Sequence, residues 1–230
     1  NCGLGMWGQT SIRGQACLDP MIRSGELRAG VPILNVEGGC ATGSLAFHSA
    51  WKDIVCGNTQ LSLAMGVEKV FHESPAESFR LFAGGINQLD KSWIDYFRHQ
   101  ADEGGVPFAP VPQRILFLDT FAMQTHAHMK RWGTTPQQLA VVAAKNHCNG
   151  SLNPKAQYRF EMTPEQVLED RVVVDPFTRA MCCPMSDGAS GILLCSEDYL
   201  EGQSQSVRQR AVKVRATVMG GGSYRQLGDR

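Results

Sequence analysis

Cys40 lies where an apolar run gives way to small residues and then to an amphipathic stretch. Residues 31–36 form the apolar run, and Gly38 and Gly39 come just before the cysteine. This order predicts a strand, a tight turn and a helix that continues to Val55, with the thiol at the corner. A helix N-terminus presents unpaired N–H groups and partial positive charge, which favour a thiolate. The pattern therefore predicts that Cys40 is a nucleophile that attacks a carbonyl group.

A buried structural thiol is the alternative for Cys40, because free cysteines are commonly found in protein cores. Taken alone, the cysteine fits that role well. The small residues that follow it, Ala41, Gly43 and Ser44, leave the first helical turn open to a ligand. A core thiol needs no such opening, so the flanking residues favour the nucleophile.

The segments around Cys40 predict α/β organisation. A second apolar run, Gln60 to Met65, follows the helix, and two strands that flank one crossover helix are expected to pair in parallel. Further along, Gly188 to Cys195 is predicted to be a buried strand. Residues 212–218 alternate between apolar and polar types, which predicts a half-buried strand.

Between about Ser74 and Ala180 the strands are replaced by amphipathic and irregular segments. Two helix starts are well marked, at Thr135 and Thr163, each followed by proline and, at the third position, glutamine. An excursion of this length is too long for a structureless loop in a compact domain. The sequence therefore predicts an inserted helical subdomain.

The composition limits the kinds of partner. Apolar residues make up 43%, charged residues 19%, and the formal net charge is zero, so bulk charge attracts neither nucleic acid nor anionic lipid. No run of apolar residues is long enough for a membrane span. The eight cysteines lack the regular framework of a small secreted protein, and thiolate chemistry needs a reducing compartment. A cytoplasmic location is expected, or a peroxisomal one in a eukaryote.

A metal site is disfavoured. Cys182 and Cys183 are adjacent and lack the spacing of zinc ligands, and His126 and His128 lie two residues apart on a predicted helix and point to different faces. His147 near the end of a capped helix is either a polar pocket group or a C-terminal cap, and the structural role is favoured.

Four segments, in this order, resemble motifs of the thiolase superfamily, and specifically those of the sterol-carrier-protein or lipid-transfer-type thiolases. They correspond to the nucleophile loop, the strand that follows it, a loop typical of this branch, and the turn that leads into a core strand. The segments are Asn35–Ser44, Leu61–Val70, Lys145–Pro154 and Cys182–Ser190.

The resemblance implies the layered αβαβα thiolase fold, here mainly its N-terminal half with the inserted helical loop domain. It assigns residues 1–73 and 181–205 to the N-terminal core, 74–180 to the loop domain, and 206–230 to the start of the C-terminal half. Because family members are longer, the sequence is expected to be an internal fragment without the first strand–helix unit and most of the C-terminal half. The family's His-Asp-Cys-Phe-like, Gly-His-Pro and Cys-x-Gly motifs do not occur in it, so no general base is assigned.

The activity implied is acyl transfer from a 3-oxoacyl-CoA to coenzyme A through a thioester on Cys40, with coenzyme A as co-substrate and no bound cofactor. The segment alone is expected to be inactive. In this family the loop domain covers the active site and helps to bind the pantetheine arm. Candidates for contact with acyl-CoA are Phe121, Met123, His147, Cys183 and Pro184.

Two other functions are compatible with the resemblance. One is an aldolase or condensing enzyme on the same fold, although the relatives that cleave sterol side chains tend to lose the cysteine, and Cys40 is present. The other is a noncatalytic subunit of a heteromeric complex with a small zinc-ribbon and OB-fold protein. Residues 31–36 resemble the family's dimer strand, so a homodimer is expected. Glu37, Gly38 and Gly39 stand where many relatives carry asparagine or alanine, which leaves the sub-family open.

Overall fold

The computed structural model describes Gly5 and residues 7–222. They divide into two compact units. The first contains the described residues up to Phe71 together with those from Ser186 onward, and the second runs from His72 to Met185.

The first unit contains the turn with Cys40 and the helix and sheet that support it. A short 3₁₀ turn, Gly39–Ala41, leads directly into the longest helix of this unit. In chain order the helices and strands of this unit are α1 (Arg13–Ser24), α2 (Thr42–Val55), β1 (Leu61–Glu68), β4 (Gly188–Cys195), α8 (Glu197–Glu201) and α9 (Gln205–Arg210), and α2 is the helix that follows the turn.

The core of the first unit fixes α2 against the sheet. Strands β1 and β4 pair antiparallel, with Leu61 opposite Cys195. Ala50 of α2, Ala64 of β1 and Leu194 of β4 form a buried cluster. The two alanines let the helix approach the strands closely, so the position of α2 is set by close packing. The start of α2 is thereby held in place, and with it the turn that carries Cys40.

The second unit is mainly helical, with one small antiparallel hairpin, β2 with β3. Its buried cluster consists of Ala140 and Ala144 from one helix and Val167 from the next. In chain order the elements are α3 (Pro75–Leu81), a 3₁₀ turn (Phe82–Gly85), α4 (Trp93–Gly104), α5 (Leu116–Trp132), α6 (Pro136–Leu152), α7 (Pro164–Glu169), β2 (Val172–Val174), β3 (Phe177–Thr178) and a 3₁₀ turn (Arg179–Met181).

Several sequence-based predictions are confirmed. The chain is α/β, the helix after Cys40 ends at Val55, and helices dominate the region between β1 and β4. The assignment of residues 74–180 to a loop domain, and of 206–230 to a further half, stays a prediction. Residues 223–230 lie outside the described part of the chain. Among the residues described, no helix has both the length and the apolar composition needed to cross a bilayer.

The strand predicted for residues 31–36 is wrong, and so is its parallel pairing. Residues 31–38 have no regular secondary structure, and β1 pairs antiparallel with β4. A strand exists only through backbone hydrogen bonds to a neighbour, and over the described ranges no strand lies beside residues 31–36. Their role as a dimer strand stays a prediction.

Two further strand predictions need correction. Residues 212–218 form no strand, and Val212 is almost fully exposed, because no strand of the described chain pairs with this segment. β4 has the predicted bounds, but it is not buried along its length. Of its apolar triplet, Leu194 is buried whereas Ile192 and Leu193 are exposed, since α2 packs only near Leu194.

The loop predicted for Lys145–Pro154 is also wrong, because α6 continues to Leu152. Asn153 ends the helix with an extended backbone, φ −94° and ψ 113°. The residue before a proline avoids helical geometry, so Pro154 sets the boundary. A motif typical of a family identifies a segment without fixing its secondary structure.

Both helix starts marked by threonine are confirmed as capping boxes. The Thr135 hydroxyl accepts from the Gln138 N–H while the Gln138 side chain accepts from the Thr135 N–H. Thr163 and Gln166 form the same pair at the start of α7. Each box satisfies N–H groups that otherwise have no partner in the helix.

We expect Thr135→Ala and Thr163→Ala each to lower the free energy of unfolding by about 1 kcal/mol, the usual cost of removing an N-cap hydroxyl. Urea unfolding followed by circular dichroism measures the effect. Thr134→Ala is the matched control, because this neighbouring threonine is outside the cap. Equal losses in the Thr134 and Thr135 variants would contradict the role of the capping box.

Candidate active site

Cys40 is the second residue of the 3₁₀ turn that precedes α2, and it is exposed. The turn depends on Gly39, which has φ +58°, a left-handed conformation that glycine adopts without strain. A Cβ on Gly38 would overlap the end of the Leu45 side chain, which would have to shift. The predicted location of the thiol, at a tight turn before a helix, is confirmed.

Glu37 caps the turn that carries Cys40. Its Oε1 atom accepts hydrogen bonds from the Gly38 and Gly39 N–H groups, both at 3.1 Å. The Thr42 hydroxyl also donates to this oxygen. The same hydroxyl accepts a hydrogen bond from the Gly38 N–H at 2.9 Å. Carboxylate, hydroxyl and amides therefore bridge the two ends of the turn.

The other oxygen of Glu37 faces the first turn of α1. Arg13 Nη1 donates to Oε2 at 2.8 Å, across 24 positions of sequence. Partial burial acts to raise the pKa of the Glu37 carboxyl, the hydrogen bonds from the Thr42 hydroxyl and the Gly38 N–H act to lower it, and the pKa lies below its usual range. The group is therefore a carboxylate near neutral pH.

Two side chains extend this contact between α1 and the segment before the turn. Asn35 Oδ1 accepts from the Gly14 N–H at 2.7 Å, and Asn35 Nδ2 donates to Gln15 Oε1 at 2.7 Å. Gln15 Nε2 in turn donates to the Ile33 carbonyl at 3.3 Å. With the Arg13–Glu37 pair, these bonds hold the start of α1 to residues 33–37. We call this set the α1 ladder.

An open groove of about 1240 Å³ lies beside the turn within the first unit. Cys40, Thr42 and Gly43 line it together with Glu37. Apolar side chains from α1 and β1, such as Leu18 and Leu63, line other parts. Cys40 thus lines a groove large enough for a substrate-sized molecule.

Asp187 joins the chain after β1 to the start of β4. Its Oδ1 accepts from the N–H groups of Val70, at 2.7 Å, and Phe71, at 2.8 Å. Lys69 Nζ donates to Oδ2 at 2.6 Å. The Lys69 ammonium and the Phe71 and Val70 amides lower the pKa of Asp187 to about 2. The carboxylate thus links the residues just after β1 to the residue just before β4, at one end of the β1–β4 pair.

We expect Asp187→Asn to lower the midpoint of urea unfolding at neutral pH and to lose this effect in acid. The pKa is about 2 in the folded protein against an ordinary 3.8. The ionised group therefore stabilises the fold above about pH 4, and this contribution is lost as the pH falls towards 2. Unfolding midpoints of wild type and variant at pH 6 and pH 2.5 measure the difference.

The difference in urea midpoint between the wild type and Asp187→Asn should be smaller at pH 2.5 than at pH 6. Asp19→Asn is the control, because Asp19 pairs with Arg23 on the exposed surface of α1 and contacts no backbone amide in the structure's described part. A gap that stays constant across this range would contradict the role of the Asp187 charge.

The five remaining candidate residues belong to the second unit, so their arrangement with Cys40 around one ligand stays a prediction. His147 lies inside α6, where its Nε2 donates to the Ala180 carbonyl at 3.0 Å. Its ring packs on Phe160 with centroids 5.0 Å apart. The cap of α6 is Asn153, so the alternative that His147 is the C-terminal cap is wrong. The side chain ties α6 to the turn at Arg179–Met181.

Phe121 and Met123 differ in accessibility although both lie on α5. Met123 is 2% exposed and belongs to the packed interior of the second unit. Phe121 is 53% exposed. The burial agrees with ordinary packing for Met123, and contact with substrate stays a prediction for both residues.

Cys183 is exposed and Pro184 is partly buried, both just before the boundary of the second unit. The neighbouring Cys182 contacts the Thr178 carbonyl through Sγ at 3.4 Å. Burial raises the pKa of the Cys182 thiol, and the nearby Cys183 adds to the shift. Cys182 is thus a structural thiol, whereas a role of Cys183 and Pro184 at the coenzyme A arm stays a prediction.

Sequence reasoning missed Arg13 and the cap formed by Glu37 and Thr42. A carboxylate close before a helix is a recognisable local signal, and Glu37 stands five residues before Thr42, the first residue of α2. The link from Glu37 to Arg13 has no local signal. Over the part of the chain that the structure covers, no group of three or more His, Cys, Asp or Glu residues is arranged to hold a metal.

The chain is similar to known proteins over most of its length. Residues 4–177 match the family model described as thiolase, N-terminal domain. Sterol carrier protein 2 of Gallus gallus is 33% identical over 83% of this chain and 32% of its own length. An acetyl-CoA acetyltransferase of Methanothermobacter thermautotrophicus is 34% identical over 73% of this chain and 38% of its own.

A third relative is the benzoylsuccinyl-CoA thiolase subunit BbsB of Thauera aromatica, which is 27% identical over 93% of this chain and 48% of its own length. The chain therefore spans between about a third and a half of the length of these relatives.

Proposed function

We propose that this chain, which belongs to the thiolase family, supplies the nucleophile of an enzyme that cleaves 3-oxoacyl-CoA with coenzyme A. One observation carries the proposal. Cys40 is exposed at the start of α2 and lines a substrate-sized groove. A thiol at a helix start has N–H groups behind it that stabilise negative charge, as acyl transfer requires.

In the proposed reaction the Cys40 thiolate attacks the ketone carbon of the substrate. The bond between that carbon and the α-carbon breaks, and its electron pair passes to the α-carbon as an enolate, which is protonated and leaves as acetyl-CoA or its equivalent. The acyl group remains on Cys40 as a thioester. The thiol of coenzyme A then takes up the acyl group and releases Cys40.

The backbone around Cys40 limits which donors can stabilise an oxyanion. The N–H groups of Gly38 and Gly39 are already bonded to Glu37. The N–H of Cys40 itself is therefore the donor that we assign to the developing oxyanion. None of the described residues is assigned as the activating base.

The substrate class and the assembly are finer parts of the proposal. Among the relatives, one is named as a thiolase subunit for benzoylsuccinyl-CoA and another as a sterol carrier protein. These names support an aromatic or sterol-derived acyl chain. We further propose a cytoplasmic or peroxisomal homodimer, with coenzyme A as co-substrate and no resident cofactor, and a small zinc-ribbon and OB-fold protein as a candidate partner.

A noncatalytic subunit of a heteromeric complex is the second candidate function, and the naming of the Thauera relative as a thiolase subunit supports an assembly of more than one chain. In that case a partner chain would supply catalysis and Cys40 would be vestigial. An aldolase or condensing enzyme on the same fold is a further alternative, which the presence of Cys40 disfavours.

Thiolysis of a panel of 3-oxoacyl-CoA thioesters tests the proposal. The full-length protein is incubated with branched, aromatic and sterol-derived thioesters and free coenzyme A, and the two acyl-CoA products are measured by mass spectrometry. Formation of both products that depends on coenzyme A supports a thiolase. Cleavage of the matching 3-hydroxyacyl-CoA thioesters, tested in parallel without free coenzyme A, to an aldehyde or ketone and a shorter acyl-CoA would support an aldolase. No cleavage of either kind of thioester would support the noncatalytic subunit.

A further inference from the structure

We propose that Glu37 is a positioning residue for Cys40, and that it acts through the turn that it caps and the α1 ladder that holds it. This proposal rests on the proposed function, because positioning matters only for a nucleophile. Glu37 need not touch the substrate. It sets the conformation of residues 38–42, and that conformation sets where the sulfur points.

The first step is the number of constraints on one carboxylate. Oε1 is bonded to two successive backbone N–H groups, Gly38 and Gly39, and to the Thr42 hydroxyl. In the sequence, Cys40 stands between the two glycines, whose N–H groups bond to Oε1, and Thr42, whose hydroxyl bonds to the same oxygen. The carboxylate is therefore bonded to the chain on both sides of the nucleophile and restrains both sides.

The second step concerns the contacts that fix the orientation of the Glu37 carboxylate. A glutamate side chain has several rotatable bonds, and an exposed ion pair alone contributes little. Here Arg13 Nη1 donates to Oε2 at 2.8 Å, and Arg13 is on a helix that Asn35 and Gln15 fasten to the preceding segment. The α1 ladder thus orients Glu37 before substrate arrives.

The third step is the alternative hydrogen-bond partner that the turn offers to the Thr42 hydroxyl. Gly39 is left-handed, and the Thr42 hydroxyl has the Gly39 carbonyl within 2.8 Å as well as the carboxylate. Without Glu37, the single hydroxyl proton is free to turn to the carbonyl and the two amides lose their common acceptor. The turn then samples other conformations, and a small displacement of a nucleophile costs a large factor in rate.

Two matched pairs of variants test positioning. Thr42→Val removes the hydroxyl at constant shape, whereas Thr42→Ser keeps it. Glu37→Ala removes the acceptor, whereas Glu37→Gln keeps an oxygen for the amides. We expect Thr42→Val and Glu37→Ala to lower kcat about 10- to 100-fold with KM changed by less than about twofold, and Thr42→Ser to keep kcat within about threefold. Glu37→Gln keeps the oxygen for the amides but not the acceptor for Arg13, so it should lower kcat by about fivefold to tenfold, less than Glu37→Ala does.

Arg13→Ala should lower kcat by about fivefold to tenfold, because the carboxylate stays but loses its orientation. Arg23→Ala is its matched control, since Arg23 forms an exposed ion pair on the same helix and should leave kcat unchanged. Unfolding midpoints of all variants are measured in parallel. Equal kcat values for Thr42→Val and Thr42→Ser, or losses of rate that follow the unfolding midpoint in every variant, would overturn the proposal.

Alkylation of Cys40 by iodoacetamide separates this proposal from the proposed function. The rate is measured by mass spectrometry on the peptide that contains Cys40, and it needs no thiolase activity. We expect Thr42→Val and Glu37→Ala to react more slowly than their conservative partners. Absence of thiolysis in the wild type would refute the proposed function, whereas equal alkylation rates within both pairs would refute the positioning role.

Discussion

Cys40→Ala should lower kcat for thiolysis by about 10⁴-fold or more, the scale of loss when a covalent nucleophile is removed. Cys40 is exposed, lies in the 3₁₀ turn that leads into α2, and lines the groove of the first unit. Alanine has the same backbone preferences at this turn, so the caps from Glu37 and Thr42 should persist. Rates of acetyl-CoA formation from a cleaved 3-oxoacyl-CoA measure the effect.

Cys56→Ala is the matched control for this substitution. Cys56 is also an exposed, free cysteine, and it lies at the opposite end of α2 as its C-cap. Its replacement should leave kcat within about twofold, since it is outside the catalytic turn. Residual activity of the Cys40 variant close to that of the wild type would contradict the assigned nucleophile.

Arg114→Ala should give the largest loss of stability, about 2–3 kcal/mol of unfolding free energy. Asp119 is 5% exposed, and Arg114 Nε donates to its Oδ1 at 3.0 Å. The second carboxylate oxygen is buried and has no hydrogen-bond partner among the residues described. Removing the guanidinium leaves a buried carboxylate without a counter-charge. The estimate is at the lower end for a buried pair because Arg114 is partly exposed.

Urea unfolding at neutral pH measures this loss, with Arg98→Ala as the control. Arg98 pairs with Asp95 on the exposed face of α4, where such a pair contributes about 0.5 kcal/mol or less. Replacing both buried partners, in Arg114→Met with Asp119→Leu, should recover part of the stability. Equal losses for Arg98→Ala and Arg114→Ala would show that the buried pair has no special role.

The features that the sequence predicted well are those decided by neighbouring residues. The capping boxes at Thr135 and Thr163 need only a proline and a glutamine close by, and the turn at Cys40 needs its glycines. Such local signals survive in the folded chain. The family, too, follows from short motifs, and the similarity of residues 4–177 to the thiolase N-terminal domain confirms it.

The predictions that were wrong concern features that depend on partners distant in sequence. Residues 31–36 and 212–218 have apolar patterns suited to strands, but a strand needs a hydrogen-bonded neighbour, and periodicity does not say which one. The antiparallel pairing of β1 with β4 joins segments more than a hundred residues apart. The link from Arg13 to Glu37 was missed for the same reason, because an ion pair between segments distant in sequence leaves no local pattern.

The most direct test of the central claim is the site of the acyl adduct. The full-length protein is incubated with a 3-oxoacyl-CoA in the absence of free coenzyme A, digested, and its peptides are analysed by mass spectrometry. The account predicts an acyl mass increment on the peptide that contains Cys40, removed when coenzyme A is added. An adduct found only at Cys148 or Cys183 would contradict it.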